Sequence, residues 1–321
     1  MTTSKNKHFV FESSSSEKIN SFFLKREGEK RVGEAIAFQE VSKAKYVLLG
    51  IEESIGPVAN NGFSGSENAW LAFLTNFLNT QVHQRFFAEE IAILGSIKYT
   101  GTEVGSLEAR LLVEELDAFV VDILNQHLRT DQIPIVIGGG HNNALPLMRW
   151  AAQTNNLSVI NIDPHADCRK VEGRHSGNSF SIALTEMTIE NYAVLGLHEA
   201  YNNQTILDFL NAHNCFNSFY EDYLQGNSDL KADFQQVLKR FASVGKIGIE
   251  IDMDAIAFMP SSAYSPSGFS VDQIRSLCLV LNRNKSEVAY MHFPEAAPKT
   301  ELEKRVVGKT LSYFVRDFVR E

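Results

Sequence analysis

The amino-acid sequence predicts an α/β fold with a mainly parallel sheet that is covered by helices on both faces. Three observations lead to this prediction. Short apolar runs rich in β-branched residues recur along the chain, helical patterns alternate with them, and no Pro/Gly/Ser-rich linker or internal repeat divides the sequence. Strands that alternate with helices are typical of parallel sheets, and the undivided pattern favours a single main domain.

The predicted strands are apolar throughout and do not alternate with polar residues, which indicates that both faces of the sheet are covered. They occupy residues 46–51, 133–139, 157–163, 192–197, 246–252 and 287–293. Helical periodicity is found at residues 105–128, 142–154, 227–242, 270–283 and 302–319. Residues 1–44 are polar and mixed in character, and we expect them to form a loose arm or peripheral elements. Residues 45–321 are expected to form one catalytic domain.

The bulk composition narrows the range of partners. The 321 residues are 44% hydrophobic and 21% charged, as in ordinary globular proteins. With 30 Lys and Arg against 39 Asp and Glu, the net charge is −9, and no dense basic cluster indicates a nucleic acid or a membrane surface as a partner. No apolar run approaches the roughly 20 residues that span a bilayer, and the polar N-terminus does not resemble a secretory signal. The three scattered cysteines fit a reducing compartment, so we expect a cytoplasmic protein that acts on a small molecule.

Chemically reactive side chains follow three of the predicted strands. Gly138, Gly139, Gly140 and His141 come directly after the apolar run IPIVI at the start of the strand at 133–139, and glycine lets the backbone turn sharply there. The second group is Asp163, His165 and Asp167, whose alternate spacing in an extended segment places them on one face. The third group is Asp252 and Asp254, also two residues apart, with Glu250 as a further acid on the same nominal face. Since ligands bind at the carboxyl ends of parallel strands, we expect these groups to converge there.

Convergence of these groups would place four carboxylates and two imidazoles in one pocket. Four ionised carboxylates in close contact repel one another, and two divalent cations would neutralise them. An oxygen-rich set with some imidazole favours manganese over zinc, and none of the six groups is a thiolate. Two such cations can hold a water molecule and lower its pKa towards ~7, so that it supplies hydroxide at neutral pH. The sequence therefore predicts a hydrolase.

The segments GGGHNN (138–143), DPHAD (163–167) and EIDMD (250–254), in this order, resemble the three metal-binding signatures of the ureohydrolase superfamily, which includes arginases, agmatinases and formiminoglutamases. The resemblance covers most of the chain from about residue 45. It implies a three-layer α/β/α sandwich with a central, mainly parallel sheet of eight strands, and two Mn²⁺ per subunit. The implied metal ligands are His141, Asp163, His165, Asp167, Asp252 and Asp254. Asp163 and Asp252 are expected to be shared between the metals, and Asp167 to hydrogen-bond the bridging hydroxide.

The resemblance also implies residues that handle substrate. Glu295, in the segment PEAAP, matches the family glutamate that binds a guanidinium-like group. Arg169 lies two positions after the last aspartate of the second signature, as in formiminoglutamases, where a guanidinium suits a substrate carboxylate. The segment 174–180 resembles another formiminoglutamase segment, so Arg174 and Asn178 are expected to bind substrate as well. Either His175 or Ser176 takes the position of the proton shuttle, and His175 is the candidate as the third catalytic residue beside Asp167 and Glu295.

The leading functional prediction is hydrolysis of N-formimino-L-glutamate to L-glutamate and formamide within histidine degradation. Gly140 favours it, because relatives that act on arginine or agmatine usually carry an aspartate before the histidine. One alternative is an arginase, agmatinase or other guanidino-compound hydrolase that releases urea. Another is a non-catalytic relative that serves binding or assembly. Two departures from the family pattern, Ala257-Phe258 after the third signature and a loosely matched loop around Gly56-Pro57, are both expected to border the substrate. Relatives often form trimers or hexamers, so a homo-oligomer is expected.

Overall fold

A single mixed sheet organises the described part of the protein. The computed structural model describes residues 3–36 and 39–321, and all elements below lie within these ranges. The strands are β1 (Thr3–Lys5), β2 (Phe9–Ser13), β3 (Tyr46–Glu52), β4 (Ile91–Tyr99), β5 (Ile133–Ile137), β6 (Leu157–Ile162), β7 (Asn191–Leu197), β8 (Phe216–Phe219), β9 (Lys246–Ile251) and β10 (Val288–Phe293). They form one ten-stranded sheet in the order β1-β2-β4-β3-β5-β10-β9-β6-β7-β8.

Eight consecutive strands of this sheet, from β4 to β8 in spatial order, are mutually parallel. This confirms the α/β class and the eight parallel strands implied by the resemblance. The two additional strands are antiparallel: β2 pairs with β4, and β1 pairs with β2. They come from the N-terminal region that was expected to be a loose arm or peripheral elements. Part of this region therefore forms peripheral strands and not a loose arm, because Phe9 and Phe11 on β2 are fully buried.

Helices cover both faces of the sheet. They are α1 (Ser16–Asn20), α2 (Val32–Ile36), α3 (Ile55–Ala59), α4 (Ala69–Phe77), α5 (Ser106–His127), α6 (Ala144–Ala151), α7 (Ser179–Thr185), α8 (Gln204–Ala212), α9 (Tyr220–Gln225), α10 (Leu230–Ala242), α11 (Val271–Asn282) and α12 (Glu301–Val319). Leu48 of β3 points to one core with α4, α10, α11 and α12, and its neighbours Val47 and Leu49 point to a second core with α5, α6, α7 and α8. The result is a three-layer α/β/α sandwich.

Local sequence signals explain where the best-predicted helices begin. The Ser270 side chain caps α11 and Thr300 caps α12, each in a reciprocal capping box with the residue three positions on, Gln273 and Glu303. Such boxes satisfy amide groups that otherwise lack partners in the first turn of a helix. No helix within residues 3–36 and 39–321 combines the length and the apolarity needed to cross a membrane.

Candidate metal centre

Four strands that lie side by side, β5, β10, β9 and β6, carry the reactive residues at their carboxyl ends. After β5 the backbone reverses through Gly138 and Gly139, whose φ angles of 87° and 69° lie in the left-handed region that favours glycine. This turn delivers His141 to the sheet edge with no exposed surface. The tight glycine turn predicted from the sequence therefore has a direct function, since it aims the imidazole at the ends of the neighbouring strands.

The His141 ring meets three of the predicted aspartates. Its Nδ1 lies 3.2 Å from Asp163 Oδ2, 3.0 Å from Asp167 Oδ2 and 2.9 Å from Asp252 Oδ2. One ligand atom from each of these four residues fits within 4.8 Å of the others, a spacing that can hold a metal ion. Neither ring nitrogen of His141 has a hydrogen-bond partner, although the ring is fully buried. A buried imidazole facing several carboxylate oxygens in this way fits a cation ligand.

The remaining predicted ligands lie on the other side of Asp163. His165 Nδ1 is 3.5 Å from Asp163 Oδ1 and 3.9 Å from Asp254 Oδ2. Asp163 thus faces His141 with one carboxylate oxygen and His165 with the other. The structure brings all six predicted ligands together at one edge of the sheet, with Asp163 between the two histidines.

Short-range hydrogen bonds fold the two aspartate-rich turns. The backbone amide of His165 donates to Asp163 Oδ1 at 2.7 Å, and that of Asp254 donates to Asp252 Oδ1 at 2.6 Å. Asn202, a residue that sequence reasoning missed, clamps the second signature by accepting from the Ala166 amide and donating to a backbone carbonyl there. Asp167 adopts a left-handed φ of 47°, which turns its carboxylate back towards His141.

Glu250 and His292 form an outer layer behind the ligands. The Glu250 carboxylate binds His292 Nδ1 at 2.7 Å and lies 3.4 Å from His141 Nε2. This contact places the acid at the Nε2 side of His141 and leaves Nδ1 facing the three aspartates, as is usual for a metal-binding histidine. His292 is a hydrogen-bonded core histidine, because its ring is fully buried between Glu250 and the Gly138 carbonyl.

The electrostatics of the cluster reflect its crowding. Burial lowers the pKa of His165, but its contact with Asp163 outweighs burial and raises the pKa to about 10. Burial and repulsion from Asp254 raise the pKa of Asp252 well above its ordinary value. The pKa of Asp163 is held below its ordinary range, since His141 and His165 outweigh burial. Carboxylates in these surroundings carry full charge together only beside strong positive charge.

A cavity of about 280 Å³ opens beside the cluster and is lined by His165, Asp167, Asp252, Asp254, Glu295 and Arg169, among other residues. Glu295 has a left-handed φ of 66° and is almost fully buried. One of its carboxylate oxygens accepts from the His141 amide at 2.7 Å and the other from the Ser262 hydroxyl. Burial and the charge of Asp254 raise the pKa of Glu295 to about 8. Glu295 therefore lies in the cavity next to the metal ligands.

Arg169 lies at the solvent side of this cavity with half of its side chain exposed. Its guanidinium donates to Asn60 Oδ1 at 2.7 Å and lies 3.6 Å from Glu172. Asn60 also reaches Ser176, which lines the same cavity. The loop around Gly56-Pro57 borders the cavity through Pro57, as expected, whereas Ala257 and Phe258 are not among its lining residues.

The structure places Arg174 and Asn178 outside the lining of the cavity. Arg174 is buried and binds Asp117 at 2.7 and 3.1 Å, away from the cavity. Asn178 is fully buried and accepts from Arg174 at 2.8 Å. Neither side chain has a free group that faces substrate. The two residues instead fasten the segment after the second signature to α5, because Asp117 belongs to that helix.

His175 is also directed away from the cavity. Its ring is fully buried, its Nδ1 accepts from the Gly177 amide, and its Nε2 lies 3.7 Å from Glu172. Burial and the positive charge of Arg169 lower its pKa to about 3. The lowered pKa keeps the His175 ring neutral, and His175 is not among the residues that line the cavity, so its position does not support the predicted proton-shuttle role. Ser176 is the residue of this pair that lines the cavity.

Sequence reasoning also missed Glu53 and Tyr201. Glu53 follows β3 and is buried, and it accepts hydrogen bonds from the Gly140 amide at 2.8 Å and from Asn143 at 2.7 Å, so it holds the glycine turn in place. The Tyr201 ring stacks on His165 with 5.4 Å between ring centres and lines the cavity. The position of Glu53 at a strand end was a usable signal, whereas nothing local marked Tyr201.

Comparisons with known proteins agree with this geometry. The sequence profile of the Arginase family matches residues 69–316. The formimidoylglutamase of Streptococcus pyogenes serotype M3 is 26% identical over 176 residues, which is 51% of this chain and 50% of the relative. The chain thus spans about half the length of the curated relatives it matches.

Solved structures show the same fold. The formiminoglutamase of Trypanosoma cruzi with Mn²⁺ superposes with a TM-score of 0.71 at 22% identity and covers 90% of this chain and 98% of its own. The formimidoylglutamase of Bacillus subtilis gives 0.74 at 19% identity and covers 92% and 93%. The profile match covers most of the chain and the fold is shared, which identifies the protein at the family level: the chain belongs to the arginase family.

Proposed function

We propose that this protein is a dinuclear manganese hydrolase of linear amidines that converts N-formimino-L-glutamate and water to L-glutamate and formamide. One observation carries the proposal: six metal-ligating side chains meet beside a cavity that also holds Glu295 and, at its solvent side, Arg169. A cation-binding acid and a carboxylate-binding arginine on one cavity match a substrate with an amidine at one end and carboxylates at the other. The similarity to formimidoylglutamases of Streptococcus pyogenes, Trypanosoma cruzi and Bacillus subtilis supports the same substrate.

The donor set fits two manganese ions. His141, Asp163, Asp167 and Asp252 would hold one, and Asp163, His165, Asp252 and Asp254 the other. Four carboxylates balance the charge of two divalent ions, and imidazole with oxygen donors suits manganese. When bound, the two ions supply Lewis acidity and lower the pKa of a coordinated water to ~7.

The remaining chemistry is performed by the side chains of the chain. Glu295 faces the cavity between the ligands and Ser262, where its carboxylate can bind the amidinium nitrogens of the substrate. The amidinium charge favours the ionised form of this acid, which burial alone disfavours. Arg169 binds a substrate carboxylate through parallel N–H groups and so fixes the distance between the amidine carbon and the metal ligands.

Asp167 is the group placed to move a proton. Its side chain is 13% exposed and lines the cavity, in contrast to the fully buried Asp163. A carboxylate in this position can accept a hydrogen bond from the attacking water and pass the proton to the departing amine nitrogen. The C–N bond then breaks to leave L-glutamate and formamide. Since His175 does not reach the cavity, this route needs no histidine.

The decisive experiment is a product assay on the manganese-loaded protein with N-formimino-L-glutamate, arginine and agmatine as separate substrates. Formamide and glutamate from the first substrate, without urea from the other two, is the expected result. Urea as the main product would replace the proposal by a guanidino-compound hydrolase. Failure to bind manganese, measured as metal content per chain, would favour a binding or assembly role.

Histidine degradation as the pathway and the cytoplasm as the location belong to the same proposal. The free thiols of Cys168, Cys215 and Cys278 support a reducing compartment.

A further inference from the structure

A second cavity lies at the end of the sheet opposite to the metal centre. It is lined by residues where β5, β9 and β10 begin, Ile133, Lys246 and Val288, and by Lys45 just before β3. Its volume is about 410 Å³, larger than the 280 Å³ beside the metal ligands. Because parallel strands rise about 3.3 Å per residue, the length of β5 and β9 separates the two cavities by roughly 20 Å. They are distinct sites on one sheet.

The charge of this cavity contrasts with that of the whole chain. Its lining includes three lysines, Lys45, Lys246 and Lys285, and one acid, Asp131. The acid is already neutralised, because Arg129 binds both of its oxygens at 2.9 and 3.1 Å. Among residues 3–36 and 39–321, no carboxylate oxygen lies within 4 Å of any of the three lysine ammonium groups. A protein with net charge −9 thus concentrates unpaired positive charge in one cavity.

Neutral partners hold these ammonium groups in place. Lys246 donates to the Ser286 carbonyl, and Lys285 donates to the Arg320 carbonyl at 2.6 Å. The Nζ atoms of Lys45 and Lys285 lie 5.2 and 5.9 Å from the centre of the Tyr46 ring, so both cations meet the same aromatic side chain. Each ammonium keeps N–H groups that are free to bind an acceptor.

The cations are held close despite their mutual repulsion. Burial and the charge of Lys45 lower the pKa of Lys285, and the charges of Glu90 and Glu321 only partly offset this effect. A multiply charged anion between the lysines would remove the repulsion and satisfy the free N–H groups at once.

An apolar wall completes the cavity. Trp150 is half-buried there, next to Leu128, Ala151 and Ala289. A flat indole beside several cations can contact the uncharged part of a ligand while the lysines bind its charges. We propose that this cavity is a binding site for a small polyanion that carries at least two phosphate or carboxylate charges and packs its uncharged part against Trp150.

Trp150 makes the proposal directly testable. The chain has two tryptophans, and the other, Trp70, is 2% exposed in the core. Quenching of fluorescence by iodide therefore reports on Trp150, and iodide is expected to quench more strongly than caesium because the cavity is positive. Inorganic pyrophosphate and citrate are titrated separately at constant ionic strength. Each is expected to protect the fluorescence from iodide with a saturable curve.

Two triple variants with the same net charge distinguish anion binding in this cavity from non-specific attraction of anions to the positively charged side chains of the protein. The site variant is K45Q/K246Q/K285Q, and the control is K231Q/K239Q/K309Q, which changes three exposed lysines elsewhere. Removal of the charge-assisted hydrogen bonds is expected to weaken anion binding by roughly 100-fold in the site variant, whereas the control keeps the affinity of the natural chain. Single Lys→Gln variants at the three positions replace the site variant if it does not fold.

The outcomes separate the ligand classes. Protection by pyrophosphate alone assigns a phosphate ligand, by citrate alone a carboxylate ligand, and by both a general polyanion site. Protection that never saturates, or that is equal in the site and control variants, overturns the proposal. The readout does not use the hydrolase reaction, so its failure leaves the function of the metal centre untouched.

Discussion

Arg169 and Arg174 are close together in the sequence, and their contacts predict opposite responses to substitution. Arg174 is 5% exposed, and its guanidinium makes hydrogen bonds to Asp117 (2.7 and 3.1 Å), Asn178 (2.8 Å) and the carbonyls of Asn142 (2.8 Å) and His175 (3.2 Å). Arg174→Met removes them all and leaves Asp117 as a buried carboxylate whose nearest cation is 3.8 Å away. Breaking a buried ion pair in this way costs about 3–5 kcal/mol. We expect the Tm to fall by roughly 4–7 °C.

The side chain of Arg169 contributes little to the stability of the folded protein. About half of its side chain is exposed, and its hydrogen bond to Asn60 is an exposed one. Arg169→Met is therefore expected to change stability by about 0.5 kcal/mol or less. Loss of a charged contact to the substrate is worth about 1.5–3 kcal/mol, which raises KM for N-formimino-L-glutamate by roughly 10- to 100-fold with little change in kcat.

Thermal unfolding by calorimetry and steady-state formamide release on the manganese-loaded proteins measure both effects. Arg174→Lys serves as the milder variant if Arg174→Met does not fold. The reasoning fails if substitution of Arg174 raises KM while the Tm stays unchanged, because that pattern requires a guanidinium that faces substrate. It also fails if Arg169→Met lowers the Tm as strongly as Arg174→Met.

Three further substitutions, at Glu250, His175 and Gly140, test residues that surround the predicted metal ligands. Glu250→Gln removes the acid behind His141 Nε2 and should weaken manganese affinity about 10- to 100-fold in calorimetric titration. The pKa of His175 is about 3 in the folded protein against ~6.5 in the unfolded chain, so the neutral ring costs little stability above about pH 7 and about 2 kcal/mol at pH 5. His175→Asn should remove this loss of stability at acid pH, which urea denaturation at several pH values would measure. Gly140→Ala would place its Cβ 2.3 Å from Pro57 Cδ, so we expect a loss of about 1–3 kcal/mol in urea denaturation.

Matched substitutions elsewhere control for the change of residue type. Glu190→Gln and His213→Asn alter exposed side chains, and Gly105→Ala adds a Cβ that meets no atom within 4 Å. Manganese affinity, the acid limb of stability and the urea midpoint are expected to stay within error in these three variants. An effect of equal size in a variant and its control would show that the cause is not the contact described.

Most strands that are buried on both faces could be predicted, with β4 as the exception, because Gly95 and Ser96 interrupt its apolar run. β3, β5 and β6 read as continuous apolar runs because helices cover both of their faces. β2 was missed because only alternate residues are buried at the antiparallel edge, and β8 because it is short and half-buried. Edge strands depend on which neighbour they pair with, and this information is not local in the sequence.

The metal ligands could be predicted for a similar physical reason. Their spacing of two residues at strand ends sets the direction of the side chains, and adjacent parallel strands bring these ends together. The direction of Arg174 could not be predicted, because it is set by Asp117, which is 57 positions away in the sequence. The role of Glu53 likewise depends on a turn that follows a different strand.

The surroundings of the cluster indicate why it needs cations. Burial raises the pKa of Asp167, Asp252 and Asp254, while the carboxylates raise the pKa of His141 above its ordinary value in spite of burial. Raised pKa values mean that some of these groups stay protonated near neutral pH. Without metal ions, protons alone offset the negative charge of the cluster. The outer layer cannot supply the charge, because Glu250 behind His141 is itself an acid. Divalent cations must therefore displace protons when they bind to the cluster. We expect the manganese affinity to rise with pH and binding to release protons. Calorimetry in buffers of different ionisation enthalpy would measure the number of protons released. Affinity that is independent of pH between 6 and 8 would show that the groups are already deprotonated and that another charge stabilises them.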